Sequence, residues 1–316
     1  MNTSSTSSLS IENPKPVLYQ IKFTILITLQ IPAILLTICI FLFFVLHRNK
    51  LKTPQNQSLL ILLITNSIRL LVTVPMPIDF YRRGYIFPAT SAYCTSWTFG
   101  EYSLAVIGEY LMATISMQRH AIIFHPNIFQ IRMKFLIFFY FPLIFSVAYP
   151  TIFYIYAVIL YPCDGTEWDY TIIACGYMNC YYQNKILAIF DWIVHNILPI
   201  IIIILANIAL IIRVIAGKCR RHQIVSWRKQ KDMTLQLLSI SSLFVIAWSP
   251  TIIVGLIQQA TSINFADIQA AFITDLIFLS YLLLPWVCLG PLPEFRKWIW
   301  KYLHPRRRRH TTVASQ

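Results

Sequence analysis

Seven long apolar runs, each bounded by polar or basic residues, divide the 316-residue chain at about 20 to 46, 57 to 78, 95 to 118, 134 to 160, 185 to 212, 234 to 258 and 268 to 289. Each has the roughly 20 residues that a helix, rising about 1.5 Å per residue, needs to cross a hydrocarbon core of about 30 Å. The pattern predicts an all-α membrane protein, a bundle of seven transmembrane helices. Beyond the last run, Phe295, Trp298, Ile299 and Tyr302 fall at i, i+3, i+4 and i+7, with Arg296, Lys297 and Lys301 alongside. That spacing predicts a short amphipathic eighth helix lying in the membrane interface. The expected organisation is an extracellular N-terminal tail over 1–19, the seven-span region over 20–292, the amphipathic helix over 293–304 and a basic cytoplasmic tail over 305–316.

Composition agrees with this outline and excludes a soluble domain. Hydrophobic residues make up 57% and charged residues 12%, against the roughly 25% charged residues of ordinary globular proteins. Basic residues flanking spans are retained on the cytoplasmic side. With the N-terminus outside, 20 of the 26 Lys and Arg fall on inner segments, including Arg48, Lys50, Lys52, Arg119, Arg132 and Lys134. The chain is therefore expected in the plasma membrane with its N-terminus extracellular. The net charge of +14 then belongs to the inner leaflet, where Arg306 to Arg309 each add about 1 kcal/mol of attraction to anionic lipids. It does not point to nucleic acid, which calls for a soluble basic face. The first 19 residues lack the layout of a cleaved signal peptide, so the first run is expected to act as an uncleaved anchor.

Of the seven cysteines, Cys94, Cys163, Cys175 and Cys180 fall on the expected outside, where oxidation is permitted; Cys39, Cys219 and Cys288 fall in spans or inside. Two bridges suit the outer four. Cys94, at the head of the third run, is expected to tie down the loop from Tyr161 to Gln183 through Cys163, Cys175 or Cys180, and the sequence leaves all three open. The same loop carries Asp164, Glu167 and Asp169 beside Trp168, Tyr170, Tyr181 and Tyr182. An acidic aromatic cover of this kind favours a cationic or amphipathic ligand.

A set of spaced motifs narrows the class. Arg119 follows Cys94 by 25 residues, within Gln118-Arg119-His120, and Pro126 follows; the sixth run contains Ala247-Trp248-Ser249-Pro250, the fifth Pro199, and the seventh Pro285, with Phe295-Arg296-Lys297 ten residues on. In these features the chain resembles the rhodopsin-like G-protein-coupled receptors, over about residues 20 to 305. The resemblance implies a receptor that binds an extracellular ligand in an outer helical cavity and activates a heterotrimeric G protein. It assigns Arg119 to the G-protein contact and makes Pro250 and Pro285 switch positions, with Trp248 leaning into the cavity. The chain also departs from the family pattern, as divergent invertebrate-type orphan receptors do. Gln118 and His120 replace the acid and tyrosine beside the arginine, Asn66 replaces an aspartate, Leu284 and Cys288 interrupt Asn-Pro-x-x-Tyr, Ile38 takes the first-helix asparagine position, Asn207 replaces the fifth-helix tyrosine, and the fourth-helix tryptophan is missing. With no acid at Gln118, a weak resting lock and appreciable basal signalling are expected. Phe278 stands where opsins carry the retinal lysine, so no Schiff base and no cofactor is expected.

Ionisable residues inside spans cost about 2.5 to 3.5 kcal/mol each and face the bundle interior by default. Here they are Arg69, Glu101, Glu109, Asp191 and Asp275. Counted along ideal helices, Arg69 lies about 20 Å above Asn56, and Glu109 and Glu101 lie about 15 and 27 Å above Arg119. Arg69 therefore falls between the two glutamates, and a buried ion pair of Arg69 with one acid, Glu109 taken as the partner, is expected. One arginine leaves acids over, which must carry protons or await a cation. Glu101, seven residues after Cys94, occupies the position of the ligand-pairing aspartate of amine receptors and is the first choice for a ligand contact. Asp191 and His195, at i and i+4, are expected to line the same pocket with Trp248 and Asp275. As metal ligands they would still need a third, so no metal site is expected. A transporter, a ligand-gated channel and a receptor that does not couple are the rival readings; no duplicated half supports the first. No His-Glu-x-x-His or Gly-x-Ser-x-Gly motif supports an enzyme.

Overall fold

The computed structural model describes residues 14–51, 53–124, 132–162, 168–177, 180–220, 224–261, 272–289, 295 and 298–300. Seven long helices carry almost all of them: α1 (Pro14–Leu46), α2 (Pro54–Arg83), α3 (Ser91–Phe124), α4 (Leu136–Leu160), α5 (Lys185–Ile212, continuing helically to Arg220), α6 (Ile224–Thr261) and α7 (Thr274–Leu289). Five of these, α1, α2, α4, α5 and α6, are long and apolar enough to cross a membrane by length and composition. The 34 residues of α3 reach about 50 Å, ample for crossing. Its lower hydropathy reflects its central place, for α3 packs against α2, α4, α5 and α6. Around it, α1 packs on α2 and α7, and α6 on α5 and α7. The chain is a multi-pass membrane protein with a seven-helix bundle.

The distribution of side chains is that of a lipid-soluble bundle. Ile31, Leu205 and Ile246 are 58%, 60% and 67% exposed, while Arg69, Glu109, Asp191 and His195 are at most 2% exposed. Backbone satisfaction inside each helix makes that arrangement stable in lipid. Local chemistry sets several helix ends. Pro54 enters at the first turn of α2, where a missing N–H costs nothing. Gly84 ends that helix at φ +80°, its N–H on the Phe80 carbonyl at 2.7 Å. Asn184 caps α5 by accepting from the Ile186 and Leu187 N–H groups.

Among the described residues, wide turns with i→i+5 hydrogen bonding interrupt the helical run at Arg69–Thr73, Leu136–Tyr140 and Trp192–Ile197, and another closes α4 at Ile155–Leu160. Each ends two residues before a proline: Pro75, Pro142, Pro162 and Pro199. Where the proline sits inside the continuing helix, as at Pro75, Pro142 and Pro199, it lacks the N–H for an i→i−4 bond and its ring collides with that carbonyl, and one extra residue in the preceding turn relieves both. In α2 the Val74 N–H accordingly reaches back to the Arg69 carbonyl at 3.0 Å. Pro250 and Pro285, by contrast, lie within uninterrupted helix.

At one end of the bundle Phe295 is fully buried and its ring lies 5.3 Å from that of Phe43 on α1, with Trp298 at 5.9 Å from the same ring. The remainder of the expected eighth helix, residues 1–13, the basic tail, and the sites at Pro126 and Arg306 to Arg309 lie outside the described residues, while residues 14–19 of the expected N-terminal tail belong to α1. Between α5 and α6, Gly255 faces the indole of Trp192 so closely that a Cβ there would overlap the ring. Gly255→Ala is expected to cost about 1–3 kcal/mol by overpacking, and adding Trp192→Leu to recover most of it. Thermal unfolding of the purified protein checks this, and equal melting of the wild type and Gly255→Ala would contradict it.

Candidate functional site

At one end the loop between α4 and α5 is sewn across the bundle. Of the three pairings open to Cys94, the structure selects Cys175, with both residues fully buried and Cα atoms 5.9 Å apart. Cys180 is disulfide-bonded as well; Cys163 lies outside the described residues. The bridge is reached through a left-handed turn, Ala174, Cys175 and Gly176 having φ of 52°, 56° and 83°. Sequence patterns gave no signal for that turn. Trp168 Nε1 donates to Ser91 Oγ at 3.1 Å, and the Ile86 N–H to the Tyr170 carbonyl at 2.9 Å, so the loop is tied to the ends of α2 and α3. Asp169 serves the loop itself: hydrogen bonds from the Thr171 hydroxyl and N–H hold its carboxyl below the usual carboxylate range. That contribution is present above the ordinary carboxylate pKa of about 3.9 and is lost as the pH falls through the depressed value. Asp164 and Glu167, the other expected acids, lie outside the described residues.

Inside the bundle the charges pair differently from expectation. Arg69 bonds to Glu101, Nη2 to Oε1 at 2.5 Å, and its guanidinium lies over the Tyr281 ring at 3.3 Å. The expected pair with Glu109 is not formed. The close approach of α2 to α3 at Gly100, where a Cβ would stand 3.2 Å from Thr73, brings this part of α2 against the turn of α3 that carries Glu101. Glu109 is fully buried and neither of its oxygens has a hydrogen-bond partner.

Asp275 pairs with Lys22 at 2.7 Å and accepts from the Tyr81 hydroxyl at 2.7 Å, joining α7, α1 and α2. Lys22, counted from the sequence with the outer charges, is a buried member of α1; its place beside the polar tail concealed that. Asp191 Oδ1 accepts from Tyr154 and from His195 Nδ1, both at 2.7 Å, and Oδ2 from Tyr181 at 3.0 Å and Tyr182 at 3.1 Å. His195 Nε2 stands 3.2 Å from the Tyr149 hydroxyl. With four donors on Asp191, these two residues form a closed clasp of α4, α5 and the loop rather than an open pocket wall. Among the described residues no three His, Cys, Asp or Glu gather as a metal site. Trp248 is buried in α6 with its Nε1 unpartnered, one turn above Phe244, which packs at Gly108 of α3.

At the opposite end Arg119 is 6% exposed, and its Nε and Nη1 have no hydrogen-bond partner. Among the described residues no carboxylate pairs with it. Its neighbour Gln118 accepts from Ser58 Oγ at 3.0 Å and donates to the Phe139 carbonyl at 2.8 Å, knitting α2, α3 and α4 together. Tyr140 bonds Gln57 beside it at 3.0 Å, and Asn66 donates to the Tyr281 carbonyl at 3.1 Å. Asn207 donates to the Ile203 carbonyl of its own helix at 2.7 Å. An amide can both donate and accept, which an ionised aspartate at 118 could not; only that property hinted at this link in advance.

No individual curated protein matches the chain. Residues 35–288 match the seven-transmembrane receptor (rhodopsin family), in agreement with seven packed helices, a buried arginine near the end of α3 and a disulfide from its head to the loop between α4 and α5. The chain belongs to the rhodopsin family of seven-transmembrane receptors.

Proposed function

We propose that the chain is a plasma-membrane receptor, N-terminus outside, that binds an extracellular ligand among the helices beneath the Cys94–Cys175 loop and activates a heterotrimeric G protein at the Arg119 end. The observation that carries this reading is Arg119, a buried guanidinium that no carboxylate among the described residues pairs with. A cation free of a local acid is available to a G-protein subunit once α6 moves aside, and leaving it unpaired makes the resting state costly. Gln118 supports the same reading, because its amide is committed to Ser58 and Phe139 and places no charge beside the arginine. Basal signalling follows from that arrangement.

On the outer side, Glu101 is the proposed contact for a cationic group of the ligand. One of its oxygens is held by Arg69 and the other, Oε2, has no partner. Trp248, below it on α6, couples occupancy to helix movement, with Pro250 and Pro285 as the positions where α6 and α7 yield. The basic inner segments favour anionic inner-leaflet lipids.

Ligand-free G-protein activation in cells tests the coupling. Dissociation sensors for each G-protein class, with the wild type and Arg119→Ala at matched surface expression, are expected to show a basal signal that disappears in the variant. An undiminished signal in Arg119→Ala would remove the arginine from the mechanism. Silence of both proteins would favour a transporter, a channel or a receptor that does not couple.

A further inference from the structure

Glu109 differs from every other acid in the helical core. Glu101 is matched by Arg69, Asp275 by Lys22, and Asp191 by His195 and three tyrosines. Glu109 is 0% exposed, and neither oxygen has a partner. As an anion it would cost several kcal/mol in that position, so it carries its proton in this state. Arg69 is only partly used, since Nη2 bonds Glu101 while Nε and Nη1 are buried without partners.

The charged groups whose influence reaches Glu109 are Arg69 from α2 and Asp191 from α5, with the Tyr281 hydroxyl of α7 nearby. Asp191 already accepts four hydrogen bonds, so Arg69 is the available counter-ion. Glu101 and Glu109 are eight residues apart on α3, about 12 Å along the axis and about 80° around it. Between them Ala105 lies on the same face, with Gly108 at one edge and Tyr102 at the other. The Phe244 ring of α6 lies against Gly108, one residue before Glu109, 3.6 Å from where a Cβ would stand.

We propose that Arg69 is a two-position charge carrier, seated on Glu101 in this state and transferred to Glu109 when a monovalent organic cation, an ammonium or guanidinium group, takes its place on Glu101. The inference rests on Glu101 being the ligand contact. Its charges balance: the incoming cation neutralises Glu101, Arg69 neutralises an ionised Glu109, and the proton of Glu109 leaves to water. One cation enters for one proton released, so affinity rises about tenfold per pH unit while Glu109 holds its proton in the ligand-free state.

Infrared absorption of the purified receptor in nanodiscs, without ligand or G protein, tests the transfer. The wild type minus Glu109→Gln is expected to show one protonated-carboxyl band. Glu101→Gln, which deprives Arg69 of its upper seat as a bound cation would, is expected to lose that band because Arg69 settles on Glu109 and ionises it. The double variant Glu101→Gln/Arg69→Gln is expected to restore it. Should Glu101→Gln fail to fold, Glu101→Asp, one methylene shorter, is expected to lower the band in part. A wild type without the band, or a band unchanged in whichever Glu101 variant folds, overturns the proposal. The readout involves neither ligand nor G protein, so its failure leaves the role of Arg119 standing. Loss of the band without any amine response on later screening would defeat the ligand assignment alone.

Discussion

Arg69→Ala is expected to remove most of the receptor from the cell surface. The side chain is 2% exposed, bonds Glu101 at 2.5 Å and stacks on Tyr281 at 3.3 Å. Deleting one member of a buried pair costs about 3–5 kcal/mol because the partner charge stays behind without compensation, and the lost cation–π contact adds about 0.5–2 kcal/mol. Receptors with that deficit are held back by quality control. The companion variant Arg69→Ala/Glu101→Gln is expected to recover much of the loss, since a neutral amide has no charge to strand. Thermal unfolding of the four proteins of this double-mutant cycle measures the coupling. Additive losses would show that Arg69 stabilises the bundle through packing and not through Glu101.

Asp191→Ala is the second large effect. Its carboxylate accepts from Tyr154, His195, Tyr181 and Tyr182, and alanine leaves three hydroxyls and a ring nitrogen without their acceptor in a site 1% exposed. Each stranded polar group costs about 1–3 kcal/mol when it finds no substitute; rotation of the hydroxyls offsets part of this, leaving a loss of about 3–5 kcal/mol. Asp191→Asn retains one acceptor oxygen and is expected to lose less than half as much. A second readout separates the clasp from general instability. Tyr181 and Tyr182 hold the loop end against α5, so amide exchange at residues 180–183 is expected to rise in Asp191→Ala more than in Gly255→Ala at equal melting temperature. Equal exchange in the two variants would show that Asp191 does not fasten the loop.

Much of this architecture could be read in the sequence, because a bilayer demands uninterrupted apolar runs of spanning length and allows few charges within them. The same constraint singled out Arg69, Glu101, Glu109, Asp191 and Asp275. The partners were less legible. Pairing Arg69 with Glu101 rather than Glu109 depends on the reach of the arginine side chain and on the close approach of α2 to α3 at Gly100, neither of which counting along a single helix contains. Selection of Cys175 depends on three successive left-handed residues, of which only Gly176 announces itself. Lys22 was concealed by its nearness to a polar tail, and the tyrosines around Asp191 by the ordinariness of tyrosine near a membrane boundary. Helix ends overran the apolar runs, as at α3, because a helix does not stop where the hydrocarbon does.

The wide turns, each placed before a proline, have a consequence for comparing this chain with its relatives. Every such turn contains one residue more than an ordinary turn would hold, so the three that lie inside continuing helix are local insertions relative to a regular α-helix. Where a relative lacks the proline, it also has no need of the extra residue. The proper alignment then places single-residue gaps inside helices, next to Pro75, Pro142 and Pro199, rather than in loops. An alignment that keeps the helices ungapped would match Arg69 and Asp191 with residues about 100° away around their helices, transferring roles to side chains that face elsewhere.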